Sequence, residues 1–167
     1  MASSVVTNFM RQQGFPEEPP DACNMRFQGL YFQPRIVFPL VLVGIVFQSA
    51  PLFLVLSAIL WWNTLVPALN PFEAAYNRFV AARRGTGSLT PAPMPRRFAQ
   101  GMAAAFLLGA GLGLLAGQPL VSWVLQGFLV VAFSALLFGK FCLGAYLYHL
   151  LKGRVGFANS TLPWARG

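Results

Sequence analysis

The chain is short of charge, and of negative charge above all. Of its 167 residues only 10% are Asp, Glu, Lys or Arg, and the acids number 4 against 12 Lys plus Arg. Soluble domains carry about 25% charged residues. The composition therefore excludes an ordinary soluble enzyme, a collagen-like fibre and a disordered chain. The chain holds one histidine, His149, and two cysteines, Cys23 and Cys142. A lone histidine cannot supply a bis-His haem site, and a metal site with one histidine needs cysteines or carboxylates beside it. No metal or other cofactor is expected, and His149 reads as a surface residue near lipid headgroups. Catalytic triads, phosphate loops, GxGxxG and paired carboxylates are also missing. No enzymatic activity is expected.

What the chain does have is long apolar runs. It is 56% hydrophobic, with a mean hydropathy of +0.60. A bilayer core takes roughly 20 apolar residues of helix. From Ile36 to Leu69 there is no charged residue, and Gln48-Ser49-Ala50-Pro51 divides the run. The first span is expected at Leu30–Phe47 and the second at Pro51–Leu69, with Pro39 and Pro67 as kink or end points. A third is expected at Phe98–Gly117. After the turn Gly117-Gln118-Pro119, a fourth is expected at Pro119–Gly139, with the helix pattern running on past Lys140 to about Leu151, either as one long helix or with a kink at Gly139. The expected fold is all-α, four transmembrane helices forming two short hairpins. Its parts are a tail (1–29), hairpin one (30–69), a connector (70–97), hairpin two (98–139), and a helix extension with C-terminal tail (140–167).

The basic residues then fall into a pattern. Arg11, Arg26 and Arg35 precede the first uncharged run. Arg78, Arg83, Arg84, Arg96 and Arg97 lie in the connector; Lys140, Lys152, Arg154 and Arg166 follow the fourth span. Neither hairpin turn holds Lys or Arg. By the positive-inside rule the side that holds these residues is the cytoplasm, and both termini are expected there. The positive charge reads as topology, not as a nucleic-acid footprint. Trp61, Trp62, Arg96, Arg97 and Lys140 are expected as anchors at the inner interface, and Trp123 at the outer one. The first apolar run follows a long polar tail, so no cleavable signal peptide is expected.

Within the tail, Phe15-Pro16-Glu17-Glu18-Pro19-Pro20-Asp21 holds three of the four acids and reads as extended. The connector opens with Asn70-Pro71-Phe72-Glu73, a capping-box-like helix start. A short amphipathic helix is expected from there to Arg84, with Phe72, Ala75, Tyr76, Phe79 and Val80 on its apolar face and Gly85 as its stop. The third span carries small residues every fourth position: Gly101, Ala105, Gly109, Gly113 and Gly117. Such stripes allow close helix packing in lipid. Gln126, Ser134 and Ser57 are expected to hydrogen-bond between helices or to backbone. No ionisable group is read in the interior of an expected span, Arg35 lying before the uncharged run, which speaks against a self-contained proton-coupled transporter.

Pro95-Arg96-Arg97-Phe98-Ala99-Gln100-Gly101 at the start of the third span and Gly139-Lys140-Phe141-Cys142-Leu143-Gly144-Ala145-Tyr146-Leu147-Tyr148 after the fourth carry a resemblance, as does Asn24-Met25-Arg26-Phe27. Together they resemble an uncharacterised bacterial family of small four-helix inner-membrane proteins, a domain of unknown function, over about Cys23 to Leu151. The family pattern ends in Cys-x-Gly-Cys, which would imply thiol redox or metal chemistry. Here its second position is Ala145, so only Cys142 carries over, with Cys23 as an alternative partner. Three readings follow. The leading one is an accessory subunit packed against other membrane proteins in the bilayer. The others are a thiol-redox protein using Cys142, and a binder of lipid or a small hydrophobic ligand between the hairpins.

Overall fold

The computed structural model describes residues 4–15, 20–84 and 89–165, and these form an all-helical protein. Four long helices make its body. α1 (Ser4–Gln12) and α2 (Pro20–Leu30) precede α3 (Phe32–Val46), and α4 (Ala50–Leu65) completes the first hairpin. α5 (Pro71–Tyr76) passes through a wide π-turned stretch (Asn77–Ala81) into α6 (Ala82–Arg84). α7 (Met94–Leu115) and α8 (Pro119–Leu137) form the second hairpin, followed by α9 (Leu143–Leu151) and α10 (Val155–Ser160). Three helical stretches are long and apolar enough to cross a membrane: Arg26–Val46, Met94–Leu115 and Pro119–Leu137. α4 is apolar but has 16 residues, about 24 Å of rise.

Local chemistry explains most boundaries. Ser49 caps α4, its hydroxyl accepting from Leu52 N, with Pro51 in the first turn. α4 ends at Leu65, short of the expected Leu69, because Pro67 forces Val66 out of helical geometry (φ −123°, ψ 67°). Asn70 caps α5 by accepting from Phe72 N at 3.0 Å and Glu73 N at 3.4 Å. α3 runs through Pro39. α7 starts at Met94, ahead of the expected Phe98, so Arg96 and Arg97 lie inside its first turns.

The last span does not continue to Leu151. α8 ends at Leu137, and Phe141 N reaches back to Ala135 O at 3.1 Å. This closure needs a tight turn: a Cβ on Gly139 would stand 2.7 Å from Ala135 O, and Lys140 takes a left-handed φ of 51°. That conformation costs a non-glycine residue roughly 1–2 kcal/mol, which contacts elsewhere must offset.

Two cores result. Val37, Val41, Phe53, Leu56, Leu60, Ala104, Leu107, Ala110, Leu129 and Phe133 fill the centre of the four long helices. A second core joins α1, α2, the α5–α6 stretch and α9, through Phe9, Phe15, Leu30, Tyr31, Tyr76 and Cys142 among others. The N-terminal tail is thus not simply a solvated extension: α1 is helical and folds back over the break between α8 and α9. The acidic stretch 16–19, the Gly85 stop with the loop through Ser88, and Arg166 lie outside the described residues. The connector helix also differs from a helix lying on lipid. Tyr76 and Ala81 are buried, Tyr76 packs on Phe32 at 5.7 Å, and Phe79 alone of its bulky residues is strongly exposed.

Candidate functional site

α7 sits at the centre of the bundle, against α4, α8 and α9. The small-residue stripe supports this. Gly101 lies against Thr64 of α4, Gly109 against Leu125 of α8, and Gly113 against Ser122 of α8. Ala105 is exposed, and Gly117 takes a left-handed φ of 67° in the α7–α8 turn. A further glycine of α7, Gly111, meets Leu54 and the Ala50 carbonyl. Hydroxyls pin the same helix: Ser57 donates to Ala104 O at 2.8 Å and Ser122 to Ala110 O at 2.9 Å. Gln126 bonds Ser122 and, across the bundle, Gln48. Ser134 is half-buried.

Where the two cores meet, packing is incomplete. A partly open cavity of about 100 Å³ lies between α3, α7, α8 and α9. Its deep wall is apolar, with Val37, Leu60, Phe106, Leu129 and Phe133. The other end is polar, with Arg96, Gln100, Gln33, Gln13 and Cys142. Engineered apolar cavities of about 150 Å³ take up benzene, so this volume suits a chain or a small ring rather than a bulky cofactor.

The polar end is under-satisfied. Gln100 donates to Gln33 Oε1 at 2.9 Å, which leaves Gln100 Oε1 without a partner. Arg96 is 6% exposed, and its Nε also lacks a partner. Its nearest acid is Glu73, with Nη2 to Oε1 at 3.9 Å. That is an electrostatic contact, too long for a hydrogen bond, and Glu73 Oε1 accepts none. Burial pushes the Glu73 carboxyl above its ordinary value, while Arg96 and Asn70 pull it back. Arg96, expected among headgroups, is instead an interior residue. Arg97 keeps a partly surface position, donating from Nε to Thr64 O at 2.9 Å.

Cys142 closes the same end. It stands at the N-cap of α9, and its N–H donates to Gln12 Oε1 at 2.8 Å. Burial raises its thiol above the ordinary 9.0; the N–H groups of Ala145 and Gly144, Gln13 and Arg96 act against that rise. Cys23 is a second buried thiol in the same core. Gln12 O also accepts from His149 Nε2 at 3.0 Å. His149 is therefore buried, not at the surface. Of the remaining anchors, Trp61 is half-buried, Trp62 and Trp123 are exposed, and Lys140 Nζ sits 5.8 Å from the Phe27 ring centre. Among the described residues no three His, Cys, Asp or Glu side chains group as metal ligands.

Gln12, Gln13 and Gln33 were not singled out from the sequence, and Glu73 stood out only as part of a helix start. Gln33 carried a signal, as a polar amide inside an apolar stretch. Gln12 and Gln13 carried none, because only the folded-back tail brings them to Cys142.

The profile of a family described as Domain of unknown function (DUF4395) matches residues 28–153 of the chain. No curated protein and no solved structure matches the chain.

Proposed function

The chain belongs to the DUF4395 family, and from that premise we propose a bacterial inner-membrane protein that holds an amphipathic ligand in the cavity between α3, α7, α8 and α9. The ligand has an apolar body against Val37, Leu60 and Leu129 and a small polar head at Arg96 and Gln100. The observation that carries this reading is the pair of buried, unpartnered atoms, Arg96 Nε and Gln100 Oε1, in two residues of the cavity wall. A buried polar atom left unpaired costs roughly 1–3 kcal/mol, and a ligand head that draws these side chains toward it recovers that cost.

In this reading all four long helices span the bilayer. α4 is short for a core of about 30 Å, and local thinning or tilt of its neighbours accommodates the mismatch. Both termini lie with the arginine-rich connector on the cytoplasmic side. Membrane-impermeant maleimide applied to intact cells should label Gln48→Cys and Gln118→Cys, and label Arg78→Cys only after lysis. The reverse pattern overturns the orientation.

Support from a larger complex is not localised to any surface. Ile36, Leu40 and Val43 on α3, Val55, Trp62 and Leu65 on α4, Leu108, Leu112 and Leu115 on α7, and Val124, Phe128 and Val131 on α8 are all exposed. Apolar stripes on every long helix are what lipid contact requires. Thiol chemistry is disfavoured by the burial that keeps Cys142 protonated.

Native mass spectrometry of gently solubilised protein tests the ligand. The wild type should retain a hydrophobic adduct. Ala103→Phe, in the cavity wall, should lose it, and Ala105→Phe, exposed two residues on, should keep it. An empty wild type, or retention by Ala103→Phe, overturns the reading.

A further inference from the structure

We propose that a second site, separate from the cavity, takes a phosphate group in the groove where α1, the start of α7, α9 and α10 meet. The groove has a volume of about 690 Å³ and shares no lining residue with the cavity. Its functional walls are Arg11, Tyr148, His149, Arg154 and Phe157. Among the described residues lining it, two are arginines and none is acidic. In a chain with 4 acids that alone would be weak, because cations abound on this side.

His149 makes the argument specific. It lines the groove yet is only 3% exposed. Its Nε2 faces the Gln12 carbonyl, an acceptor, so Nε2 carries the ring proton. Nδ1 is then left with no hydrogen-bond partner. As a neutral ring it accepts from the P–OH of a protonated phosphate; as an imidazolium it donates to a phosphate oxygen. Either way an oxyanion acid completes it; an apolar group does not, and the two lining arginines with no acid beside them disfavour a metal cation on the neutral ring.

The surrounding geometry fixes these groups. Gly153 (φ 70°) ends α9, and Arg154 N closes on His149 O at 2.9 Å, so the Arg154 backbone is fixed near His149 and both residues line the groove. Phe157 lies 4.8 Å from the His149 ring, and the Arg11 guanidinium lies 5.6 Å from the Phe157 ring. The opposite wall is equally fixed. Gly14 has φ 87°, and a Cβ there would meet Pro95 at 3.0 Å. Guanidinium groups bind phosphate by paired, charge-assisted hydrogen bonds. The groove is larger than a phosphate, so it admits either a phospholipid headgroup or a soluble phosphate ester.

The test uses the full chain in phosphatidylcholine nanodiscs. Inorganic phosphate is titrated calorimetrically, and retention of phosphatidylglycerol from mixed lipid is counted by native mass spectrometry. Binding in the first arm identifies a soluble phosphate source; retention in the second alone identifies a lipid headgroup. Arg154→Gln, at an exposed side chain, should weaken the positive arm about ten-fold, and His149→Gln should weaken it with unchanged helicity. Arg78→Gln/Arg83→Gln, which removes exposed charge elsewhere, should leave it intact. Failure of both arms, or equal loss in the Arg78/Arg83 control, overturns the proposal.

Discussion

The two cores of this protein are built on different terms. The core of the long helices is almost wholly apolar, tied by a few hydroxyl-to-backbone bonds between adjacent helices. The core formed by the chain ends is mixed. There Cys142 meets Gln12, His149 meets Gln12, and Asn8 Nδ2 donates to Leu162 O and Ala165 O. Every one of those contacts joins residues more than a hundred positions apart. Apolar packing in lipid needs only small residues and matching faces. The capping layer instead depends on individual polar partners, and the cavity lies on the seam between the two.

Substitutions in each core sharpen that contrast. The largest effect is expected from Arg96→Ala, which leaves the Glu73 carboxylate buried without its cation. A loss of about 3–5 kcal/mol follows from breaking one partner of a buried pair, read as detergent-state unfolding by circular dichroism. A loss below about 1 kcal/mol would show that the pair is solvated. Gly144→Val comes next. Its Cβ would stand 2.7 Å from the Ala99 Cα, and overpacking costs about 1–3 kcal/mol. Thermal unfolding should show the α9 layer detaching before the long helices melt. Ser57→Ala should cost only about 0.6 kcal/mol, the average for a polar contact between membrane helices; a value above about 2 kcal/mol would erase the difference between the cores.

The smallest effect is a slope with pH. The folded Cys142 thiol titrates above its ordinary 9.0, so above about pH 9 the folded state binds more protons than the unfolded one. Stability contributed by the neutral thiol is present below that value and falls as pH rises through it. Cys142→Ala should flatten the slope, and an unchanged slope would place its origin elsewhere.

How much of this could be read from the sequence follows the same division. Apolar runs, the Ser49 and Asn70 caps, Pro51, Pro67 and the two hairpin turns are local signals, and they locate α3, α4, α7 and α8 to within a few residues. The break at Gly139-Lys140 was legible only as a choice between one long helix and a kink at Gly139. No proline marks it, and the left-handed lysine is held by contacts rather than by preference. The fold-back of α1 was equally hidden, because Gln12 and Gln13 acquire meaning only against Cys142 and His149. Arg96 looked like a headgroup anchor because Glu73, its partner, lies in another helix.

Photocrosslinking tests the central claim most directly. A photoactivatable fatty acid is supplied to cells, the full chain is purified, and the modified residues are mapped. The cavity reading predicts adducts on the inward residues Met102, Ala103, Ala132 and Leu136 that disappear in Ala103→Phe. Adducts confined to outward residues such as Leu112, Val124 and Val131 would contradict it.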